Sequence, residues 1–231
     1  MKELSAALLR NRHSFHPLVS FDPQQDKLIK IDFSAGQTEW DAAIFSSTEV
    51  FSKWVDDKLK ENGAIYGVGG YGELRSIYGL SNVFDAAVEG EEPRRFHIGM
   101  DIWGKSGTPV FAPLGGMVHS FAFNDRKGDY GATIILLHQL DGIPFYSLYG
   151  HLSFRDLSIS EGNYVNRGQE FAHFGDVHEN GHWPPHLHLQ LIFDIQMKQG
   201  DYPGVCKYSE REKYLANCPD PDFLANLNQF V

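Results

Sequence analysis

Cysteine is almost missing: Cys206 and Cys218 are the only two in 231 residues. Two thiols cannot supply a disulfide framework, which excludes the small cross-linked secreted scaffolds and leads us to expect free thiols in a reducing compartment. Long hydrophobic runs are missing too, and a bilayer-spanning helix needs about 20 apolar residues. The first residues, Met1-Lys2-Glu3-Leu4-Ser5-Ala6-Ala7-Leu8-Leu9, hold an apolar stretch too short for a secretory signal, with a glutamate before it. A cytoplasmic location is therefore expected, the alternative being an exported protein whose natural leader is missing. Basic residues are in deficit, with 20 Lys and Arg against 30 Asp and Glu and a formal net charge of -10. Such a surface repels phosphate backbones and anionic membranes, so neither nucleic acid nor membrane is expected as a partner. Anionic cell-wall polymers are poor matches for the same reason.

What is present fits one core domain with an extension. Hydrophobic residues make up 42% of the chain, aromatic residues 13%, and there are 23 glycines. That combination suits a turn-rich, mainly β protein with a sizeable core. Residues 1–92 mix helical and loop signals and read as an N-terminal extension packing on the core. Between Trp40 and Lys60 the apolar positions Ile44, Val50, Phe51, Trp54, Val55 and Leu59 have helical spacing, and Asn62-Gly63 is a normal helix end. The run Tyr66-Gly67-Val68-Gly69-Gly70-Tyr71-Gly72 reads as an irregular loop. It lacks the Gly-Lys-Ser/Thr of a phosphate loop. With Tyr78 its tyrosines are candidates for a lid over a groove, within a segment reaching Glu92.

Residues 93–198 read as short strands joined by Gly-containing turns, the pattern of an antiparallel sheet. Strands are expected at Thr108 to Phe111, Met117 to Phe123, Ala132 to His138, Phe145 to Tyr149 and His186 to Phe193. Residues 199–231 form a tail with a short helix expected around Ser209 to Leu215.

Eleven histidines are the main chemical clue. His186-Leu187-His188 falls inside an expected strand, where residues two apart share a face, so both imidazoles can enter one site. His97-Ile98-Gly99-Met100-Asp101 adds a histidine and a carboxylate. Two histidines and one carboxylate suit Zn²⁺ and leave a position open for water. His151, in Tyr149-Gly150-His151-Leu152, is a further candidate. Singly these signals are weak; together they are not.

The set resembles the LytM/lysostaphin-type zinc metallopeptidases, whose signature combines His-x3-Asp, a Gly-His-Leu-like histidine and a late His-x-His. The resemblance covers residues 94 to 193 and extends to Gly107-Thr108-Pro109-Val110-Phe111-Ala112, Gly116-Met117-Val118 and Val165-Asn166-Arg167-Gly168-Gln169. It implies a mainly β, antiparallel-sheet core of the LytM type (a duplicated hybrid motif). It also implies His97, Asp101 and His188 as zinc ligands, with His151 and His186 as the catalytic pair. The implied function is zinc-dependent hydrolysis of a peptide or small amide by metal-activated water. A non-catalytic zinc-binding scaffold and a metal-dependent enzyme on a small cytoplasmic metabolite are the alternatives. The chain departs from secreted wall hydrolases in Asn180-Gly181-His182-Trp183-Pro184-Pro185, and in Gln190 where Glu is common. Trp183-Pro184-Pro185-His186-Leu187-His188, with Tyr202-Pro203-Gly204-Val205 and Cys218-Pro219-Asp220-Pro221-Asp222, resembles an intracellular branch in which the peptidase-like domain can be joined to a small-molecule kinase-like domain and a class III aminotransferase, this chain being a stand-alone member.

His178-Glu179-Asn180-Gly181-His182 matches the His-Glu-x-x-His zinc-protease pattern letter for letter. That motif needs a helix to bring its histidines to one face, and Asn180, Gly181, Pro184 and Pro185 break helices. It is expected to be a loop, with His182 near the cleft. His138 is expected to be a solvated or strand-end residue, His119 and His173 to have structural roles, and His13 and His16 to lie away from any metal.

Overall fold

The computed structural model describes residues 2–34, 36–37, 40–80, 84–85 and 90–231. Along the chain run α1 (Lys2–Asn11), β1 (Leu28–Lys30), α2 (Thr48–Glu61), β2 (Tyr66–Gly69), β3 (Arg94–His97), β4 (Met100–Trp103), β5 (Pro109–Phe111) and β6 (Gly116–Asn124). They are followed by β7 (Gly131–Leu140), β8 (Ile143–Leu152), β9 (Tyr164–Val165), β10 (Glu170–His173), β11 (His186–Ile192), β12 (Val205–Lys207), α3 (Arg211–Asn217) and α4 (Asp222–Ala225). Eight strands form one sheet in the order β1-β2-β4-β11-β8-β7-β6-β9. All its pairings are antiparallel except β1 with β2. The fold is mainly β and dominated by an antiparallel sheet, as expected.

The central strands follow their sequence pattern. The β7–β8 hairpin turns at Asp141-Gly142, both with positive φ (50° and 80°), the backbone a two-residue hairpin turn requires. Leu187, Leu189 and Leu191 of β11 are fully buried, the first two packing with Met100, Ile102, Ile134 and Leu136. The alternate residues His186, His188 and Gln190 point to the opposite face, where they are buried as well.

The N-terminal region departs from its reading in two places. The helix expected from Trp40 begins only at Thr48, because Ser47 takes an extended backbone and its hydroxyl caps the Val50 amide. Phe51, Val55 and Leu59, four residues apart, then bury one face. The glycine-aromatic run is no loop at its start. Residues 66–69 are β2, inserted between β1 and β4. A Cβ on Gly67 would lie 2.3 Å from Ile31 Cδ1, so glycine there permits close packing and erases the alternating pattern by which a strand is recognised. Of the tyrosines considered for a lid, Tyr66 is buried in the main core and the Tyr71 hydroxyl donates to the Cys218 carbonyl at 2.8 Å. Residues 81–83 and 86–89 of that segment lie outside the described residues.

Aromatic packing ties this region to the sheet. Phe33 meets Phe51 and Trp103 edge-on, with ring centroids 5.3 and 5.6 Å away. At the other end of the chain, β12 pairs with β3, setting Val205 opposite His97. Both thiols are free and buried.

His138 is not solvated. It is 2% exposed, stacks on Phe145 at 5.0 Å, donates from Nδ1 to the Gly115 carbonyl and takes Ser147 Oγ at Nε2, 2.6 Å away. Burial pushes its imidazole down to about 4. A depressed imidazole gives stability that is complete above the unfolded value of about 6.5 and is lost as pH falls towards the folded value. Between pH 7 and 5, wild type should therefore lose about 2 kcal/mol more than His138→Gln. Urea midpoints of both metal-free proteins at the two pH values measure this; parallel losses would contradict it.

Candidate metal centre

β4 and β11 are antiparallel neighbours in a register that sets His188 opposite Asp101 and His186 opposite Trp103. On its other side His188 faces Gly150, the residue before His151. His97 ends β3 and is carried over the sheet by the turn into β4. Gly99 makes that turn possible, because a Cβ there would sit 2.2 Å from the His188 ring. The requirement is space for the His188 ring. His151 holds a left-handed backbone (φ 61°), which a non-glycine residue adopts at a cost of roughly 1–3 kcal/mol and which clusters at functional sites. Its amide donates to Tyr130 O and its carbonyl accepts from Gly175 N, both at 2.8 Å.

His97, Asp101 and His188 converge as a buried group able to hold a metal ion. His97 Nε2 lies 3.0 Å from His188 Nδ1 and 3.5 Å from Asp101 Oδ1, and His188 Nδ1 lies 3.2 Å from Asp101 Oδ1. Donors about 2.0–2.1 Å from a tetrahedral ion are roughly 3.3 Å apart, so the triangle has the right size. The proton positions agree. His97 Nδ1 is 2.8 Å from the Gly70 carbonyl, which can only accept, so the proton sits on Nδ1. The Gln190 amide nitrogen donates to Pro203 O, which turns its Oε1 towards His188 Nε2 at 3.2 Å and fixes the proton there. Two bare imidazole nitrogens and a carboxylate oxygen thus face one another, an arrangement that a cation at their centre would neutralise.

The charges support it. Burial, then Arg75, push the His97 imidazole well below its usual range. Burial disfavours the charged form of Asp101, but its neighbours, with the Arg75 guanidinium as the permanent positive charge among them, outweigh it and hold the carboxyl well below the usual range. Arg75 Nη1 donates to Asp101 Oδ2 at 2.7 Å and Nε to Glu73 Oε2 at 2.8 Å. Glu73 Oε1 accepts from the Gly70 amide at 3.0 Å. One short stretch, residues 70–75, therefore orients two of the three donors.

His186 and His151 stand beside this group with ring centroids 4.1 Å apart. Their Nδ1 atoms face the backbone carbonyls of Pro184 and Asn180 at 2.7 and 2.8 Å, which protonates Nδ1 and leaves Nε2 as the basic nitrogen of each. His186 Nε2 is 4.0 Å from Asp101 Oδ1, and its ring stacks on Trp103 at 4.0 Å. Burial pushes His186 down to about 4; burial, then His186 and His188, push His151 well below its usual range. All five residues border one cavity of about 220 Å³.

The His-Glu-x-x-His look-alike forms turns, as expected. Glu179 accepts from the Phe154 and Asp176 amides at 2.8 and 3.0 Å, and His182 is not among the cavity's described lining residues. Arg75, Glu73 and Tyr130 were missed by the sequence reading. They lie 26, 28 and 29 positions from Asp101 in the chain, and no local spacing links them to it. Gln190 had a signal, two residues beyond His188 on the same strand face.

Residues 95–200 match the profile of Peptidase family M23. No curated protein sequence matches the chain. Among solved structures it is similar to the catalytic domain of the antimicrobial peptidase lysostaphin from Staphylococcus simulans, with 21% identity, 70% of this chain and 97% of that one covered, and a TM-score of 0.39. It is also similar to a zinc-containing peptidase from Vibrio cholerae, with 24% identity, 42% of this chain covered and a TM-score of 0.33; the chain spans 27% of the length of that peptidase. A third is a putative peptidase M23 from Pseudomonas aeruginosa, with 19% identity, 76% and 60% coverage and a TM-score of 0.37.

Removing the Arg75 charge leaves the Asp101 and Glu73 carboxylates buried without their cation. Arg75→Met should cost the metal-free protein roughly 3–5 kcal/mol and the zinc-loaded protein less, because the ion offsets the same charge. Denaturant unfolding with and without zinc measures both, and an unchanged metal-free protein would refute the role. Glu179→Gln should leave metal content and turnover unchanged; loss of turnover with metal retained would restore the look-alike motif.

Proposed function

We propose, on the premise that residues 95–200 are a peptidase family M23 domain, that His97, Asp101 and His188 hold one Zn²⁺ and that the chain hydrolyses a peptide or amide bond. The observation that carries this is the triangle of two imidazole nitrogens and one carboxylate oxygen, 3.0 to 3.5 Å on a side. Two imidazoles and one carboxylate leave a bound Zn²⁺ with net positive charge, enough to acidify water towards a pKa of about 7 and to polarise a scissile carbonyl.

The rest of the chemistry belongs to the protein. His151 and His186 each offer Nε2 as a base, and both imidazoles are neutral near pH 7 because burial disfavours their charged forms. Within this pair, one histidine accepts the proton of the attacking water, while the other stabilises the carbonyl oxygen or protonates the leaving nitrogen. Pro184 O and Asn180 O hold the two rings in the productive tautomer. The reading extends to place and substrate: a cytoplasmic enzyme on a soluble peptide or small amide. Two free thiols and a net charge of -10 support it.

His97→Ala, Asp101→Ala and His188→Ala should each abolish binding of about one zinc per chain. His151→Ala and His186→Ala should retain zinc and lose turnover by roughly 10²-fold or more. Metal analysis of the purified variants, paired with peptide hydrolysis, separates the two groups. Zinc kept by Asp101→Ala would overturn the ligand set.

A further inference from the structure

The three metal donors are held from two different parts of the chain. Residues 70–75 orient His97 and Asp101. His188 depends instead on Gln190, two positions along β11 and fully buried. With Nδ1 turned to a cation, the His188 ring carries its proton on Nε2, and a buried N–H needs an acceptor. Gln190 Oε1 lies 3.2 Å from that nitrogen. The Tyr130 hydroxyl is farther, at 3.5 Å, and its own proton goes to the Tyr202 carbonyl at 3.1 Å or to Gln190 Oε1 at 3.4 Å.

A carboxamide can present either its oxygen or its nitrogen, and here the C-terminal tail decides which. Both N–H bonds of Gln190 are taken by tail residues, one by Pro203 O at 3.1 Å and one by Cys218 Sγ at 3.3 Å. The Pro203 carbonyl can only accept, so the amide nitrogen stays on that side and the oxygen on the side of His188. An ionised glutamate would set a second acceptor against Pro203 O, which is a physical reason for glutamine at this position. The same tail reaches the other histidine. β12 sets Val205 opposite His97, and Ile98 N donates to Gly204 O at 2.9 Å. Gly204 leaves no room for a side chain, since a Cβ there would sit 2.0 Å from the Tyr130 hydroxyl and 3.3 Å from His188 Cε1.

We propose that Gln190 is a positioning residue for His188, and that the tail sets its carboxamide through Pro203 and Cys218. Affinity for zinc then depends on side chains that never touch the ion. The inference rests on the ligand set proposed above, with His188 as one donor.

Zinc affinity at fixed pH, measured by competition with a chromophoric chelator, tests this without any turnover. Gln190→Met keeps the length of the side chain and removes the acceptor; it should bind zinc about 10-fold or more weakly. Cys218→Ala leaves one Gln190 N–H buried without its partner and should weaken binding by about 3-fold or more. Cys218→Ser supplies an acceptor again and should return most of the affinity. A sulfur that only filled space would make serine no better than alanine. Urea midpoints of the metal-free proteins show which variants are folded, and the Cys218 pair carries the test if Gln190→Met is not. Zinc bound by Gln190→Met as tightly as by wild type, while His188→Ala loses it, would overturn this inference and leave the ligand set standing. Zinc retained by His188→Ala would overturn both. Equal affinities of the alanine and serine variants at position 218 would overturn the role of the tail.

Discussion

A buried carboxylate organises this protein. Asp101 is 1% exposed, and an anion so placed is tolerated only where opposite charge and hydrogen bonds replace the lost water. Arg75 holds one oxygen, while the other turns to His97 and His188. Arg75 is itself buried, so it needs Glu73, and Glu73 in turn ties the Gly70 amide whose carbonyl orients His97. The N-terminal region therefore does more than cover the sheet. By way of β2 and the residues just after it, that region supplies the charge balance without which Asp101 could not stay ionised and inside.

The same few segments shape the space where a substrate would lie. The turn carrying Tyr78 follows directly on the stretch that anchors Asp101, and Tyr78 binds the same guanidinium. Trp103, two residues beyond Asp101 on the same strand face, joins the aromatic cluster on one side and the His186 ring on the other. Donor orientation and pocket shape are thus mechanically coupled. A change in residues 70–78 that altered the pocket would also disturb the candidate metal donors.

Much of this was legible in the sequence. The two-residue period of a strand fixes that His186 and His188 share a face, whatever they pack against, and the helix-breaking residues around Glu179 exclude a helical zinc motif. The β7–β8 hairpin is written in Asp141-Gly142, because local backbone preference decides such a turn. The start of α2 was misplaced because a cap depends on the backbone of a single residue, Ser47.

What only the tertiary structure decided is long-range and electrostatic. Neither Arg75 nor Glu73 has a spacing that marks it as a partner of Asp101; β2 brings them there by pairing with β4. The β2 strand was itself hidden, since its glycines, chosen to fit beneath Ile31, leave no alternation to detect. His138 could be read as solvated or strand-end because its burial comes from packing on Phe145 rather than from its neighbours in the chain. Sequence alone determined which side chains are candidates for chemistry and which share a face, since those follow from residue type and covalent geometry over a few residues. Which charges are buried together, and what space remains beside them, were set by contacts between segments that no local pattern encodes.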